Sequence, residues 1–260
     1  MKISREARVK SRSGIYHIML RGANRQEIFH DENDCIRFLE IIKKYKSKSE
    51  ISVYAWCLMS NHVHLLLKEG TEDISVTMKR LGVSYVWYYN WKYNTTGHLF
   101  QDRFKSENVE TTRYLLTVIR YIHQNPLKAR MVNLIDEWRW SSYQSYYDKK
   151  TYPWKLLDDE FILNMFSPDI TVAKERFKEF NERCNNDTCL EDRVNKRRLP
   201  DEEARQEIKR VLGMIDIAQV KSLPKQQRNG LLQKIKQIDG LSQRQAARIL
   251  GVSSNLIFKA

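Results

Sequence analysis

The stretch Ser60-Asn61-His62-Val63-His64-Leu65-Leu66-Leu67 sets two histidines on either side of one apolar residue, at the head of an aliphatic run. Side chains alternate between faces in an extended chain, so His62 and His64 project together while Val63 points the opposite way. Two imidazole nitrogens on one rigid face can share a metal ion. Alone the pair is weak, because two strand histidines satisfied by their neighbours would read the same. A second stretch changes its meaning: Arg120-Tyr121-Ile122-His123-Gln124-Asn125-Pro126. Residues four apart share a helix face, so Tyr121 and Asn125 point the same way, and Pro126 is expected to stop the helix. A tyrosine beside two imidazoles and an amide oxygen is a nucleophile next to a divalent metal with three ligands, His62, His64 and Asn125, and open positions.

That combination suits phosphoryl transfer. A phenol is only about a thousandth ionised at pH 7. It attacks a phosphodiester usefully when a Lewis-acid cation polarises the phosphate and holds it in line. Two imidazoles and an oxygen donor fit Mg²⁺ or Mn²⁺, with the nitrogens leaning towards Mn²⁺. Attack by Tyr121 would leave a 5′-phosphotyrosine and a free 3′-hydroxyl, so the strand could be rejoined without ATP.

Composition points to the same kind of substrate. The chain has 260 residues and a formal net charge of +13, with 11% aromatics. Lys and Arg neutralise phosphates and release counterions, so a polyanionic partner is favoured. Cys35, Cys57, Cys184 and Cys189 form no CxxC pair and read as reduced thiols. The basic N-terminus lacks the apolar core of a signal peptide, and no apolar run is long enough to span a membrane. The expectation is a cytoplasmic, nucleoid-associated protein.

Elements that could position the site follow in order. Gly14–Leu20 reads as a strand, Arg21-Gly22-Ala23-Asn24-Arg25 as a polar turn, and Asp31 or Asn33 as the cap of a helix. Ile51–Met59 and His62–Lys68 form a hairpin across Ser60-Asn61. Asp73–Tyr93 is a long helix whose aromatics (Tyr85, Trp87, Tyr88, Tyr89, Trp91, Tyr93) read mainly as core, with the exposed remainder available to stack on bases. Gly97–Val109 is expected as a fourth strand carrying Arg103 and Lys105 on one face, before a helix from Thr112 to about Asn125. The order β-α-β-β-α-β then α gives an α+β fold: a ferredoxin-like antiparallel sheet with helices on one face and the histidine strand in its centre. This catalytic domain is expected over residues 1–150, a helical linker region over 151–200, and an all-α DNA-binding domain over 201–260.

In the last of these, Ser242 caps a helix with apolar Ala246, Ile249 and Leu250, Gly251 ends it, Val252 plugs the turn and Ser253 caps the next helix. This is a helix-turn-helix pattern, whose second helix would enter a major groove. Arg248, Ser253, Ser254 and Asn255 are its expected DNA contacts. In the first domain, Arg21, Asn24, Arg25, Gln101, Arg103 and Lys105 could track phosphates.

The segments RGANRQEIF (21–29), MSNHVHLLL (59–67), GHLFQDRFKS (97–106), RYIHQNP (120–126) and WRWSSY (138–143) make residues 1–147 resemble the single-tyrosine HUH transposases of the IS200/IS605 type. Within that type they look most like the REP-associated tyrosine transposases. The resemblance implies His62, His64 and Asn125 as metal ligands, Tyr121 as nucleophile, and single-stranded DNA read through a hairpin. It leaves open a homodimer in which Tyr121 serves its own or its partner's metal. Where the insertion-sequence branch commonly has Gln as third ligand, this chain has Asn125 followed by Pro126. The C-terminal helices resemble the helix-turn-helix of the bacterial replication initiator DnaA and would take double-stranded DNA. Residues 151–200 match no known segment. Two rivals stand beside this reading. Tyr114 lies on the face of Tyr121, as in two-tyrosine replication initiators and relaxases, though packing explains it better. A non-catalytic DNA-binding regulator is the other.

Overall fold

The computed structural model describes residues 9–23, 26–147, 152–185, 187, 189–190, 199, 201–238 and 240–259. They fall into two compact units, Met1–Leu190 and Glu191–Ala260. Among the described residues no helix is long and apolar enough to cross a membrane.

In the first unit β1 (Ile15–Arg21), β2 (Ser52–Met59), β3 (His62–Lys68) and β4 (Lys105–Asn108) form one sheet in the order β2-β3-β1-β4. Every neighbouring pair is antiparallel. Two residues, Ser60 and Asn61, join β2 to β3, so Met59 lies opposite His62 and the register is set from the turn outward. The fold is α+β and the histidine strand is internal, as expected.

Alternation decides which residues meet which layer. Val63, Leu65 and Leu67 of β3, with Tyr16, Ile18 and Leu20 of β1, face a core built with α1 (Glu32–Ser49) and α2 (Ile74–Tyr93). Each such buried aliphatic side chain contributes about 2 kcal/mol by leaving water. Leu66, Ile15, Ala55 and Cys57 face the other way, onto Leu115, Val118, Ile119 and Ile122 of α3 (Thr112–Lys128). The sheet is thus covered on both faces, whereas the one-faced plan would leave α3 without a place. A second aliphatic stripe on the strands requires a second layer, and α3 supplies it.

Two boundaries also differ from the sequence reading. Residues 97–104 do not extend β4: Gly97 takes φ +93° and Leu99 and Phe104 plug the core, with a lone bridge between Gly22 and Phe100. Arg103 therefore precedes the strand. Pro126 does not stop α3, which runs on to Lys128. Proline lacks only a donor to the previous turn, and the helix closes one turn later. Arg130 there adopts φ +58°, Met131 N–H donates to the Pro126 carbonyl at 3.0 Å, and Arg130 N–H donates to Leu127.

The sequence reading made 151–200 a linker region; within it lie α4 (Glu160–Leu163) and α5 (Ile170–Glu182), whose Ile162, Leu163, Ala173 and Phe177 bury against the α3 side of the sheet. Cys184 and Cys189 are unpaired thiols, as are Cys35 and Cys57.

The second unit packs α6 (Asp201–Leu212), α7 (Lys225–Lys236), α8 (Gln243–Leu250) and α9 (Ser254–Lys259) around Ile208, Leu232, Ile235, Leu250 and Ile257. Ser242 caps α8 by accepting from Gln245 N–H at 3.1 Å, and Gly251 ends it at φ +63°. Val252 packs on the core and Ser253 Oγ accepts from Leu256 N–H at 3.3 Å.

The α1–α2 layer is locked by a buried carboxylate. Asp31 caps α1 in a reciprocal box with Asp34. Asp34 itself is buried and accepts from Lys92 (2.6 Å), Tyr93 (2.7 Å), Tyr88 (3.1 Å) and the His30 backbone (2.8 Å). Burial pushes its carboxyl up, but those donors together outweigh burial and hold it below the usual range. Tyr85 is buried and donates to the Ile28 carbonyl at 2.6 Å, while Trp87 and Trp91 are 68% and 72% exposed. Asp34→Ala should therefore lower stability by about 3 kcal/mol in urea unfolding, and Trp87→Ala by less than about 0.5 kcal/mol. Because the folded value is depressed, the Asp34 contribution is complete above the unfolded carboxylate value of about 3.9. It is lost as pH falls below that, so the wild type and Asp34→Ala should converge in strong acid.

Candidate active site

On the α3 face of the sheet, β3 presents His62 and His64 side by side, their ring centroids 5.1 Å apart. Cross-strand neighbours share this face. Arg21 of β1 and Met59 of β2 flank His62, and Met19 and Cys57 flank His64. Lys105 of β4 lies opposite Met19 and so extends the same row to the sheet edge.

Each histidine has its Nδ1 engaged. His62 Nδ1 lies 2.7 Å from Asn61 Oδ1, and Asn125 also hydrogen-bonds the His62 side chain. His64 Nδ1 lies 3.0 Å from Nε2 of His17, a β1 residue diagonal to it across the ladder. Burial first, then the Arg21 charge, pushes His62 down to about 4, against the Asn125 hydrogen bond. Burial holds His64 well below its ordinary value, helped by His17, His62 and Arg21, and burial alone takes His17 to about 3. All three rings are neutral at neutral pH, the form that binds a cation.

Thr111 caps α3 by accepting from Tyr114 N–H at 3.2 Å, and the helix lies across β2 and β3 on its apolar stripe. That placement brings Tyr121 edge-on to His64 and His17, with ring centroids 5.6 and 5.8 Å away. The Tyr121 ring is 3% exposed, and Lys128 Nζ stands 5.2 Å from its centre. His62, His64, Tyr121 and Asn125, far apart in sequence, thus meet in one cluster. Among the described residues no three His, Cys, Asp or Glu side chains gather to hold a metal. A cation here would take two imidazoles and the Asn125 amide oxygen.

Tyr114 is placed elsewhere. It hydrogen-bonds Glu107, and burial first and then that carboxylate push its phenol up. Its partner Glu107 lies on β4, the edge strand of the sheet.

α3 is also held by α5 and the chain after it. Arg120 Nε donates to Asp187 at 2.7 Å with its guanidinium over the Phe180 ring. Gln124 Nε2 donates to the Asn181 carbonyl at 2.6 Å, and Asn185 donates to Gln124 Oε1 at 2.8 Å. His123 is buried with both nitrogens satisfied, by Asn181 Oδ1 at 2.8 Å and Ser142 Oγ at 2.9 Å. Lys128 Nζ donates to the Asp187 carbonyl at 2.9 Å.

Of the other expected contacts, Arg21 and Lys105 border the cluster. Arg103 and Gln101 are exposed on the loop before β4. Asn24 and Arg25 lie outside the described residues. Gly22 follows Arg21 where a Cβ would come 2.1 Å from the Gln26 carbonyl oxygen, so the turn after Arg21 admits only glycine. In the second unit Ser253, Ser254 and Asn255 are exposed, while Arg248 donates to Asp201 at 2.6 Å. Sequence reasoning passed over His17, whose signal was a polar side chain at an inward position between Ile15 and Met19.

Residues 10–125 match the family model for IS200-like transposases. They are an IS200-like transposase domain. The matched stretch holds His62, His64, Tyr121 and Asn125, and it also holds His17. In shape the chain is similar to a REP-associated tyrosine transposase solved bound to a REP hairpin, with 19% identity, TM-score 0.48, and coverage of 58% of this chain and 89% of that one. It is also similar to a candidate transposase from Deinococcus radiodurans R1, with 20% identity, TM-score 0.32, and coverage of 48% and 97%. No curated protein matches the sequence.

The clamp on α3 of this domain is testable. Asn181→Ala leaves His123 Nδ1 unpaired in a dry core and should cost about 1–3 kcal/mol in urea unfolding. Faster amide exchange should appear in residues 118–126, with β1–β3 unchanged.

Proposed function

We propose that this chain is a metal-dependent single-stranded DNA endonuclease and strand transferase. The observation that carries the reading is the convergence of Tyr121 and Asn125 from α3 on His62 and His64 from β3. The residues present fit a divalent cation. Both imidazoles are neutral, each has its Nδ1 already engaged, and an amide oxygen stands beside them. His62, His64 and Asn125 would hold Mg²⁺ or Mn²⁺, which when bound supplies Lewis-acid polarisation of the scissile phosphate.

The chain's own groups do the rest. The Tyr121 oxygen, losing its proton, attacks phosphorus and forms a P–O bond as the bond from phosphorus to the 3′-oxygen breaks. The departing 3′-oxygen takes a proton and becomes a free hydroxyl, and the 5′-phosphate stays on Tyr121. The ester count is unchanged, so a 3′-hydroxyl can attack the phosphotyrosine and reseal or transfer the strand. Arg21 and Lys105, on the same face as the histidines, supply positive charge for flanking phosphates. Burial of the Tyr121 ring keeps water from competing for the linkage.

Hairpin-flanked DNA, REP-like or from an insertion-sequence end, is the substrate class that the resemblance implies. The helix-turn-helix of the second unit, through Ser253, Ser254 and Asn255, is a second contact for double-stranded DNA. Exposed Trp87 and Trp91 offer ring faces to unpaired bases. Tyr114, bonded to a carboxylate, does not support a two-tyrosine initiator or relaxase.

The test is covalent capture of a hairpin-bearing oligonucleotide in Mn²⁺, read as a shifted band on a denaturing gel. Wild type and Tyr114→Phe should form the adduct, while Tyr121→Phe and chelated wild type should lose at least about a thousandfold. An adduct that survives Tyr121→Phe, or that only Tyr114→Phe removes, overturns the assignment. Hairpin binding with no adduct in any variant would make the chain a regulator.

A further inference from the structure

His17 has no assigned role, yet it is a fully buried imidazole in the middle of β1. A polar ring in a dry layer costs free energy unless its hydrogen bonds are made. His123 shows what a purely structural histidine looks like in this chain, with both nitrogens satisfied and two elements tied together. His17 differs in two ways. Its Nδ1 has no hydrogen-bond partner. Its Nε2 has one, and that partner is Nδ1 of His64 at 3.0 Å. An aliphatic residue would fill the position at less cost, so the packing of β1 does not account for an imidazole there.

The tautomers explain the pairing. A neutral His64 ring can give the Nε2 lone pair to a cation only if its proton is on Nδ1. That proton then needs an acceptor, and His17 Nε2 is the one within reach. In the opposite arrangement His17 would donate to His64 Nδ1, leaving the proton on His64 Nε2 and blocking coordination there. A ligand histidine is ordinarily oriented in this way by a group bonded to its second nitrogen. Asn61 Oδ1, 2.7 Å from His62 Nδ1, does the same for the other imidazole and can only accept. The two rings are thus presented by two different acceptors, one an amide in the hairpin turn and one a histidine on the neighbouring strand.

We propose that His17 is a positioning residue for the cation site, accepting the Nδ1 proton of His64 and so keeping its Nε2 free to ligate. The assignment rests on reading His62, His64 and Asn125 as cation ligands.

The experiment is a Mn²⁺ titration of the full chain without DNA, following free Mn²⁺ by electron paramagnetic resonance. Thermal unfolding in chelator serves as the check on folding. His17→Leu removes the acceptor and should weaken Mn²⁺ binding about 10–100-fold. His17→Gln restores an acceptor of similar reach and should return affinity to within about threefold of wild type. Should the Leu variant fail to fold, His17→Asn keeps an amide too short to reach His64 and is compared with His17→Gln. Equal affinity of the Asn and Gln variants would overturn the proposal, as would wild-type affinity in His17→Leu. His62→Ala separates the two levels. If it loses Mn²⁺ while His17→Leu does not, only the role of His17 fails. If it binds as wild type does, the cation site itself fails.

Discussion

Everything in the first unit depends on two periods meeting at one place. A strand repeats every two residues and a helix every 3.6, and only where α3 crosses β3 do His62, His64, Tyr121 and Asn125 fall together. The apolar stripe of α3 sets that crossing, since Leu115, Val118, Ile119 and Ile122 have only one face of the sheet left to bury against. Packing comes first and the polar cluster rides on it. The cluster sits where the apolar residues of β1 and β3 give way to histidines, so a dry layer surrounds groups that would otherwise be solvated.

That dryness has an electrostatic effect. Burial keeps three imidazoles uncharged while Arg21 and Lys105 remain on the rim of the same face. Neutral donors inside a positive border attract phosphate without competing for a cation. The same logic, with the sign reversed, governs Asp34 on the other face, where a buried carboxylate survives because Lys92 and three hydroxyl or amide donors surround it.

Local rules made much of this legible beforehand. The period of two placed the histidines on one face, the i,i+4 relation paired Tyr121 with Asn125, and cap residues marked Asp31, Ser242 and Gly251. What local rules missed was long-range. Nothing near Thr112 says that α3 takes the second face of the sheet. A proline reads as a stop when a final turn can still form beyond it, as at Pro126. His17 was invisible because its partner lies on another strand. Residues 160–185 and 187 have no motif, yet they hold α3 through the Asn181, Asn185 and Asp187 side chains as well as main-chain carbonyls. The second unit was easier, because caps and apolar spacing within a short helical hairpin are themselves local.

The attachment of α3 has one more consequence. Arg120, His123 and Gln124 are each bonded to residues of α5 or the chain after it. A helix moored at three residues beside its nucleophile has little freedom to follow a moving target. On the proposed chemistry, adjustment then falls to the nucleic acid, whose backbone must bend until phosphorus lies in line with a fixed oxygen. Pliancy of the strand at the cleavage point would then decide which sites are cut, as much as any base contact.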